Sequence, residues 1–209
     1  MAIVINGSGT VTGLAVGGLP DGTVDAGTLA TDSVTAAKLE VNAITGADLP
    51  AGSVLQVVST IKSDAFSSTG TTSFVDITGL SASITPISTS SKIMVMVNLK
   101  GAARSHGSFR IARGSTAIGV GAASGSRTRA GAHSATNAST DAYTEYTTFA
   151  LDMHVLDSPA TASAVTYKVQ GGTPYQSNYV IYVNRSVDNS NSSWLPITAS
   201  TITLMEVAG

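Results

Sequence analysis

The residues that could perform chemistry are few, and their spacing argues against catalysis. The chain contains 3 histidines, His106, His133 and His154, and no cysteine. None of these histidines shows the i, i+4 helical spacing or the Cys/His pattern that metal sites use. No G-x-S-x-G motif surrounds a nucleophile. We therefore predict no metal centre, no cofactor and no enzymatic activity.

Four acidic residues lie close together in the sequence: Asp141, Glu145, Asp152 and Asp157. Paired carboxylates are suited to sugar hydrolysis. Glu145 and Asp157 would share a strand face, but at a rise of 3.3 Å per residue they would lie about 40 Å apart. Asp152 and His154 also share a strand face, and a structural or interfacial pair is the favoured interpretation. Glycan hydrolysis is therefore kept only as a third alternative.

A stretch rich in glycine and serine, residues 114–140, carries the best candidates for binding. It has no strand-loop-helix context and no Lys-Ser/Thr pair, so it does not fit a phosphate loop. It is predicted to be a long loop or a strand-loop-strand excursion. Its Arg127, Arg129, His133 and Asn137 suit hydrogen bonding to polar glycans, and exposed loops on a rigid scaffold often carry binding sites. The alternatives are a mobile solvated loop or a loop packed against another protein.

Aromatic residues make up only 5% of the chain. Tyr175, Tyr179, Tyr182 and the single Trp194 cluster late in the sequence, and such rings are common platforms for sugars. Because so few aromatic side chains are present, each is expected to be needed for the core. Trp194 is therefore predicted to plug one end of the fold rather than to face a ligand.

The composition restricts the possible partners. The net charge is -2, with 11 basic against 13 acidic residues, which gives no field suited to nucleic acid. No apolar run is long enough to span a membrane. The N-terminal segment MAIVINGSG lacks the basic region and apolar core of a secretion signal. We therefore expect no nucleic-acid partner, no membrane insertion and synthesis in the cytoplasm.

Two rows of apolar residues repeat every ten positions near the N-terminus. One row consists of Leu19, Leu29, Leu39 and Leu49, and the other of Val24, Val34, Ile44 and Val54. Each unit, such as DSVTAAKL, combines turn formers, a β-branched residue, a helix cap such as Thr35 and about one helical turn.

A unit of this kind does not hold itself together. Ordering ten residues costs roughly 10–20 kcal/mol, whereas burying one valine and one leucine returns about 1.5–3 kcal/mol each. We therefore infer that copies of the segment from other chains meet around an axis. The repeats predict an oligomeric stalk with both apolar rows pointing inward.

The chain is predicted to divide into three parts. Residues 1–18 form an attachment segment with a short hairpin around the Asn6-Gly7 turn. Residues 19–52 form the stalk. Residues 53–209 contain about nine or ten strands and no convincing helix, which predicts an all-β antiparallel sandwich or jelly roll.

One strand of this head is apolar on both faces. The segment KIMVMVNL places Ile93, Val95 and Val97 on one face, with Met94, Met96 and Asn98 opposite. Such a strand must be covered on both sides, by the sandwich on one side and by a sister subunit on the other. The alternative is an ordinary, fully buried central strand.

These segments together resemble the tail-fibre and fibre-like virion proteins of tailed bacteriophages. The resemblance rests on the opening MAIVINGSGTVTGLAVGGLPDGTV, on DSVTAAKL, and on SFVDITGLSASITP, STSSKIMVMV and TITLMEVAG in the head. It implies a homotrimer with an N-terminal piece docked on the virion, a slender stalk and a head similar to the C1q/TNF-like jelly rolls. The chain departs from long fibres in lacking an extended coiled coil or a triple β-helix. A main fibre, a fibre tip and a head-attached appendage all remain open.

Two functional classes follow. The first is a structural virion protein, a fibre or fibre tip whose head adsorbs to a host-surface glycan or protein and whose N-terminal segment binds other virion proteins. The second is a trimer that decorates or cements the capsid, or a capsid-attached fibre, without receptor binding. In both classes the eight residues of the two apolar rows line the trimer axis, and in the first Arg127, Arg129, His133 and Asn137 contact the receptor.

Overall fold

The computed structural model describes residues 4–5, 11–12, 29, 31, 34–35, 39, 44–68, 72–103, 106–135, 146–174 and 179–209. The chain separates into two compact units, residues 1–45 and residues 46–209. The predicted all-β class is confirmed, because the described part consists of antiparallel strands and a single 3-10 turn. No helix in this part is long and apolar enough to cross a membrane.

The first unit contains β1 (Val4–Ile5) and β2 (Val11–Thr12), which pair antiparallel. The residues that connect them, and the stalk residues Leu19 and Val24, lie outside the described residues. The described members of the ten-residue rows are all exposed in a single chain, at 39–57% for Leu29, Val34, Leu39, Ile44, Leu49 and Val54.

The second unit begins with a 3-10 turn at Gly46–Asp48. This turn occupies one of the positions where the repeats predict a single helical turn, directly after Thr45. The predicted boundary between Gly52 and Ser53 falls within this unit. There the backbone N–H of Gly52 donates to the Ala208 carbonyl at 2.8 Å, and the N–H of Ala208 donates to Ser53 at 2.8 Å. The start and the end of the head are therefore hydrogen-bonded to each other.

Eleven strands form the described part of the head. They are β3 (Val54–Lys62), β4 (Phe66–Ser67), β5 (Val75–Ile84), β6 (Lys92–Ala103), β7 (His106–Arg113), β8 (Thr116–Ile118), β9 (Ala132–Ala135), β10 (Phe149–Asp157), β11 (Val165–Gly172), β12 (Ile181–Val183) and β13 (Ser200–Val207). The first sheet has the order β3-β13-β6-β12-β4, with β10 paired to the other edge of β6. The second has the order β5-β11-β7-β8, and β9 also pairs with β7.

One hydrophobic core joins the two sheets, as in a β-sandwich. The alternation of β6 is as predicted, since Ile93, Val95 and Val97 are 0–1% exposed whereas Met94 and Met96 are half-buried. The second sheet supplies Phe109 of β7, Tyr167 and Val169 of β11, and Leu80 of β5 to the same cluster. Within one chain β6 is therefore not a fully buried central strand, because its methionine face is open.

That open face extends across the first sheet. The strand registers place Val57 of β3, Met205 of β13, Met94 of β6 and Leu156 of β10 in one row. Val57 is 56% exposed and Leu156 is 48% exposed. Ile61, which lies on the same face of β3 as Val57, is 68% exposed. We call this surface the apolar outer face of the first sheet.

The structure differs from the sequence prediction at Gly79. The sequence predicts a strand ending at SFVDITG and a separate strand SASITPI, yet β5 runs through both segments. Gly79 has a φ of +82°, a conformation that glycine adopts without steric cost. The glycine therefore produces a local irregularity inside one strand instead of ending it.

Candidate binding site on the outer face of the second sheet

Strands β7 and β9 of the second sheet bring two histidines together. The antiparallel register pairs Ser108 of β7 with His133 of β9 and His106 of β7 with Ala135. Residues two apart on a strand share a face, so His106 and His133 are diagonal neighbours. Their ring centroids lie 5.8 Å apart with the planes tilted by 37°.

Ser108 fixes the position of one of these rings. Its side chain is buried, at 3% exposure, and its hydroxyl shares a hydrogen bond of 3.1 Å with Nδ1 of His133. Because Nδ1 is occupied, Nε2 is the nitrogen that His133 can offer to a ligand. A small buried hydroxyl thus orients an exposed imidazole.

The connection between β8 and β9 folds back over this part of the sheet. The backbone N–H of Arg127 donates to the Ser124 carbonyl at 3.1 Å, which closes a turn in which Gly125 has a φ of +55°. The N–H of Gly121 donates to Ala130 at 3.3 Å, and Nε of Arg129 donates to the Gly121 carbonyl at 2.7 Å. The stretch therefore has the strand-loop-strand form that was one of the two predictions for it.

Two open clefts lie on either side of Arg127. The first has a volume of about 360 Å³ and is bordered by His106, Ser108, Thr128, His133 and Pro174 together with Arg127. The second has a volume of about 350 Å³ and is bordered by Gly121, Ser124, Arg129 and His133 as well as Arg127. Both volumes fall within the range of small-molecule sites. No carboxylate is present among the described residues that line either cleft.

Three charged residues of the same sheet, Asp76, Lys168 and Arg110, form one hydrogen-bonded network with Gln170. Asp76 accepts hydrogen bonds of 2.7 Å from both Lys168 Nζ and Gln170 Nε2. The Lys168 hydrogen bond, followed by that of Gln170, lowers the pKa of Asp76. Arg110 donates to Gln170 at 2.8 Å and stacks on Phe74 at 4.0 Å, and burial lowers its pKa. The acceptors of this network are therefore not available to the clefts.

The structure brings three of the four predicted receptor-contacting residues to one place. Arg127, Arg129 and His133 all border the two clefts, whereas Asn137 lies outside the described residues. Sequence reasoning assigned no binding role to His106 or Ser108. The alternation of β7 and β9 could have placed both on the same face as His133, but only once the pairing of these two strands is known.

The candidate catalytic residues have structural partners instead. The side-chain amide of Asn98 donates to Asp152, and no ion pair joins Asp152 to His154. Asp157 accepts hydrogen bonds from Arg113 at 2.8 Å and from the Tyr167 hydroxyl at 2.7 Å. Burial is the main cause that raises the pKa of Tyr167, and its hydrogen bond to Asp157 raises this pKa further.

Asp141 and Glu145 lie outside the described residues. Within the described ranges, no cluster of His, Asp and Glu side chains could hold a metal ion.

The prediction for Trp194 is wrong. Its side chain is 59% exposed and forms a T-shaped pair with Tyr146, with ring centroids 4.8 Å apart. The loop that carries it is organised by local hydrogen bonds, from Ser190 to Asp188 at 2.8 Å and from Leu195 to Ser192 at 3.0 Å. The indole therefore lies at the surface beside Tyr146 and does not fill an end of the sandwich.

No model of a known protein family matches the chain, and no curated protein matches it significantly. The candidate site is therefore defined by its geometry and chemistry alone.

Proposed function

We propose that the chain is a homotrimeric virion protein, a phage tail fibre or fibre tip whose β head adsorbs to a glycan or protein on the host surface. The observation that carries this proposal is the exposure of the ten-residue apolar rows. Leu29, Val34, Leu39 and Ile44 are each 43–57% exposed in a single chain. A regular row of large apolar side chains that are about half exposed in one chain favours association with further copies.

The energetic argument supports association. Full burial of a leucine, valine or isoleucine side chain stabilises a fold by about 1.5–3 kcal/mol. The side chains of the rows are about half exposed in one chain, so about half of this stabilisation is missing at each described position. Three copies around an axis would recover this term at every repeat. Within one chain each ten-residue unit contributes only one residue to each of the two rows.

The apolar outer face of the first sheet supports the same assembly in the head. Val57, Ile61 and Leu156 are exposed there, and the half-buried Met94 and Met205 lie between them. In the proposed trimer this face lies against sister subunits. The second sheet is the opposite layer of the sandwich, so its clefts remain accessible to a receptor.

The proposal assigns the clefts around Arg127 to adsorption and residues 1–18 to binding other virion proteins. It assigns no catalytic step. The weak polar contacts of a single cleft gain strength through repetition, because three linked sites can raise the overall affinity by roughly 10²–10⁴ when all of them engage together.

Two measurements test the proposal. Light scattering of the purified chain is expected to give three times the 21.0 kDa mass of one chain, and a stable folded monomer at micromolar concentration would contradict the assembly. Labelled trimer is expected to bind host cells and to be displaced by an excess of unlabelled trimer. A trimer that does not bind host cells would favour capsid decoration over adsorption.

A further inference from the structure

We infer that the clefts around Arg127 recognise a saccharide that carries an oxyanion, a carboxylate or a phosphate group. Arg127 is the principal contact, and His133 and His106 lie beside it. The inference rests on the proposed adsorption function and specifies its ligand class. Three observations support it: the state of the arginines, the chemistry of the cleft lining, and the way the histidines are held.

The first observation is that Arg127 alone among the described arginines has a guanidinium without a partner. Arg110 donates to Gln170, Arg113 to Asp157, Arg129 to Gly121, and Arg185 to two backbone carbonyls. In Arg127 the backbone N–H donates to the Ser124 carbonyl, and the guanidinium has no hydrogen-bond partner among the described residues. A guanidinium carries five N–H donors in a planar fork that matches a carboxylate or a phosphate.

The second observation is the imbalance between donors and acceptors in the lining. The first cleft is bordered by one guanidinium, two imidazoles and the hydroxyls of Ser108, Ser126 and Thr128, with no Asp, Glu, Asn or Gln side chain among its described residues. The hydroxyls and imidazoles of this lining can both donate and accept, whereas the guanidinium only donates and carries a full positive charge. An oxyanion only accepts, and it therefore fits a cleft rich in donors.

The third observation concerns the way that His133 is held and the pairing of Asp76, a carboxylate on the same sheet. Asp76 is paired with Lys168 at 2.7 Å. His133 is held through Nδ1 by the buried Ser108, so its Nε2 can face a ligand. The cleft is therefore locally positive on a chain whose formal net charge is -2.

The experiment uses the full-length trimer and four soluble probes: glucuronic acid, glucose 6-phosphate, inorganic phosphate and glucose. Binding is measured by ligand-observed NMR and by competition with the adsorption of labelled trimer to host cells. Glucuronic acid or glucose 6-phosphate is expected to bind and compete, with glucose at least tenfold weaker because it lacks the charge-assisted contact. The ranking of glucuronic acid, glucose 6-phosphate and inorganic phosphate identifies the oxyanion and shows whether the sugar ring contributes.

Two variants of equal charge change test the role of Arg127. Arg127→Gln is expected to weaken the anionic probe by about tenfold or more. Arg129→Gln removes the same charge from the same loop, but its guanidinium is already bonded to Gly121, so a smaller loss is expected. Both side chains are exposed, and unchanged melting temperatures would show that the fold is intact.

The outcomes separate the two proposals. If the trimer adsorbs to cells but glucose binds as well as the anions, or if Arg127→Gln binds them as the wild type does, the oxyanion inference fails and the adsorption function stands. If the trimer does not adsorb to cells at all, the proposed function fails first. Equal losses in the two arginine variants would indicate a general field effect and would also overturn the assignment of Arg127.

Discussion

Asp76 shows how an exposed charge on the second sheet depends on its hydrogen bonds. Its side chain is 51% exposed, yet it accepts hydrogen bonds from Lys168 and Gln170 on the neighbouring strand β11. Because these contacts favour the ionised carboxylate, they lower its pKa below the ordinary value of 3.8. The pairing connects β5 to β11 at the side-chain level, in addition to the backbone ladder.

This lowered pKa gives a pH prediction. A carboxyl whose folded pKa is depressed stabilises the fold above its unfolded pKa and loses that contribution as the pH falls through the folded value. Wild type should therefore lose stability relative to Asp76→Asn as the pH falls below about 4. The difference at neutral pH should be about 0–1 kcal/mol, since the pair is half exposed. Thermal melting of both proteins at several pH values measures it, and parallel curves would contradict it.

At the residue scale the sequence identified chemical types but not neighbours. Arg127, Arg129 and His133 could be predicted because their side chains suit glycan contacts and their segment is polar. His106 and Ser108 were not predicted, because their proximity to His133 depends on the register between β7 and β9. Trp194 departs from the expectation that a lone tryptophan is buried, since it lies exposed in a loop that is closed by local hydrogen bonds.

At the scale of elements, the alternation of residues along a strand predicts its buried face, whereas a glycine does not predict where the strand ends. The two faces of β6 and β13 follow directly from the period-two pattern of their residues, because one side of each strand faces a continuous core. Gly79 predicts a strand end, but β5 continues through it, because a positive φ within a strand is compatible with pairing on both sides of the glycine. The short strands β4, β8 and β9 carry too few residues to show a period.

Gly101 is expected to be required for the close packing of the paired strands β6 and β12. A Cβ at Gly101 of β6 would lie against the carbonyl oxygen of Tyr182 on β12, inside van der Waals contact. The backbones of these paired strands have little room to separate, so Gly101→Ala should destabilise the head by about 1–3 kcal/mol. Denaturant unfolding measures the change.

Gly121→Ala is the matched control for this substitution. No heavy atom lies within 4 Å of a Cβ at Gly121, and a substitution in open space should change stability by no more than about 0.5 kcal/mol. If Gly101→Ala and Gly121→Ala change the free energy of unfolding equally, the close approach of β6 and β12 does not require a glycine.

The loop between β8 and β9 can be shortened without disturbing the sheet. Gly121 and Ala130 are already hydrogen-bonded across its base at 3.3 Å, so replacing residues 122–129 by Asn-Gly should close a two-residue hairpin turn. The melting temperature should stay nearly unchanged, because residues 121–129 are exposed. The shortened protein should fail to displace virions from host cells. If it competes as well as the intact protein, the binding site lies elsewhere.

At the scale of the whole molecule, the exposed rows predict how the protein should respond to a charge in the stalk. Leu39 is 43% exposed in one chain and is proposed to face the trimer axis. Leu39→Asp would place three like charges together in a poorly solvated interior, at a cost of several kcal/mol for each unpaired charge. Light scattering should show loss of the trimer, and the thermal transition should fall accordingly.

Thr35→Ala is the control within the same repeat. It removes only a helix cap, so a loss of about 0.5–2 kcal/mol per chain is expected, with the trimer retained. If thermal melting ranks the two substitutions equally, the apolar rows do not form the axis. The ten-residue period follows from the sequence of one chain, whereas the partners that we propose to cover the rows are further copies, which the sequence of one chain does not place.

The two backbone hydrogen bonds that join Gly52 and Ser53 to Ala208 have a consequence for how the head can be moved between proteins. A folding unit whose entry and exit points are neighbours can be spliced into a host chain at a single surface position, because the recipient backbone need not be stretched to reach both ends. The same geometry permits circular permutation, with new termini opened at an exposed turn such as Ser124–Ser126. Residues 52–209 therefore have the layout of a cassette that recombination could exchange as one piece.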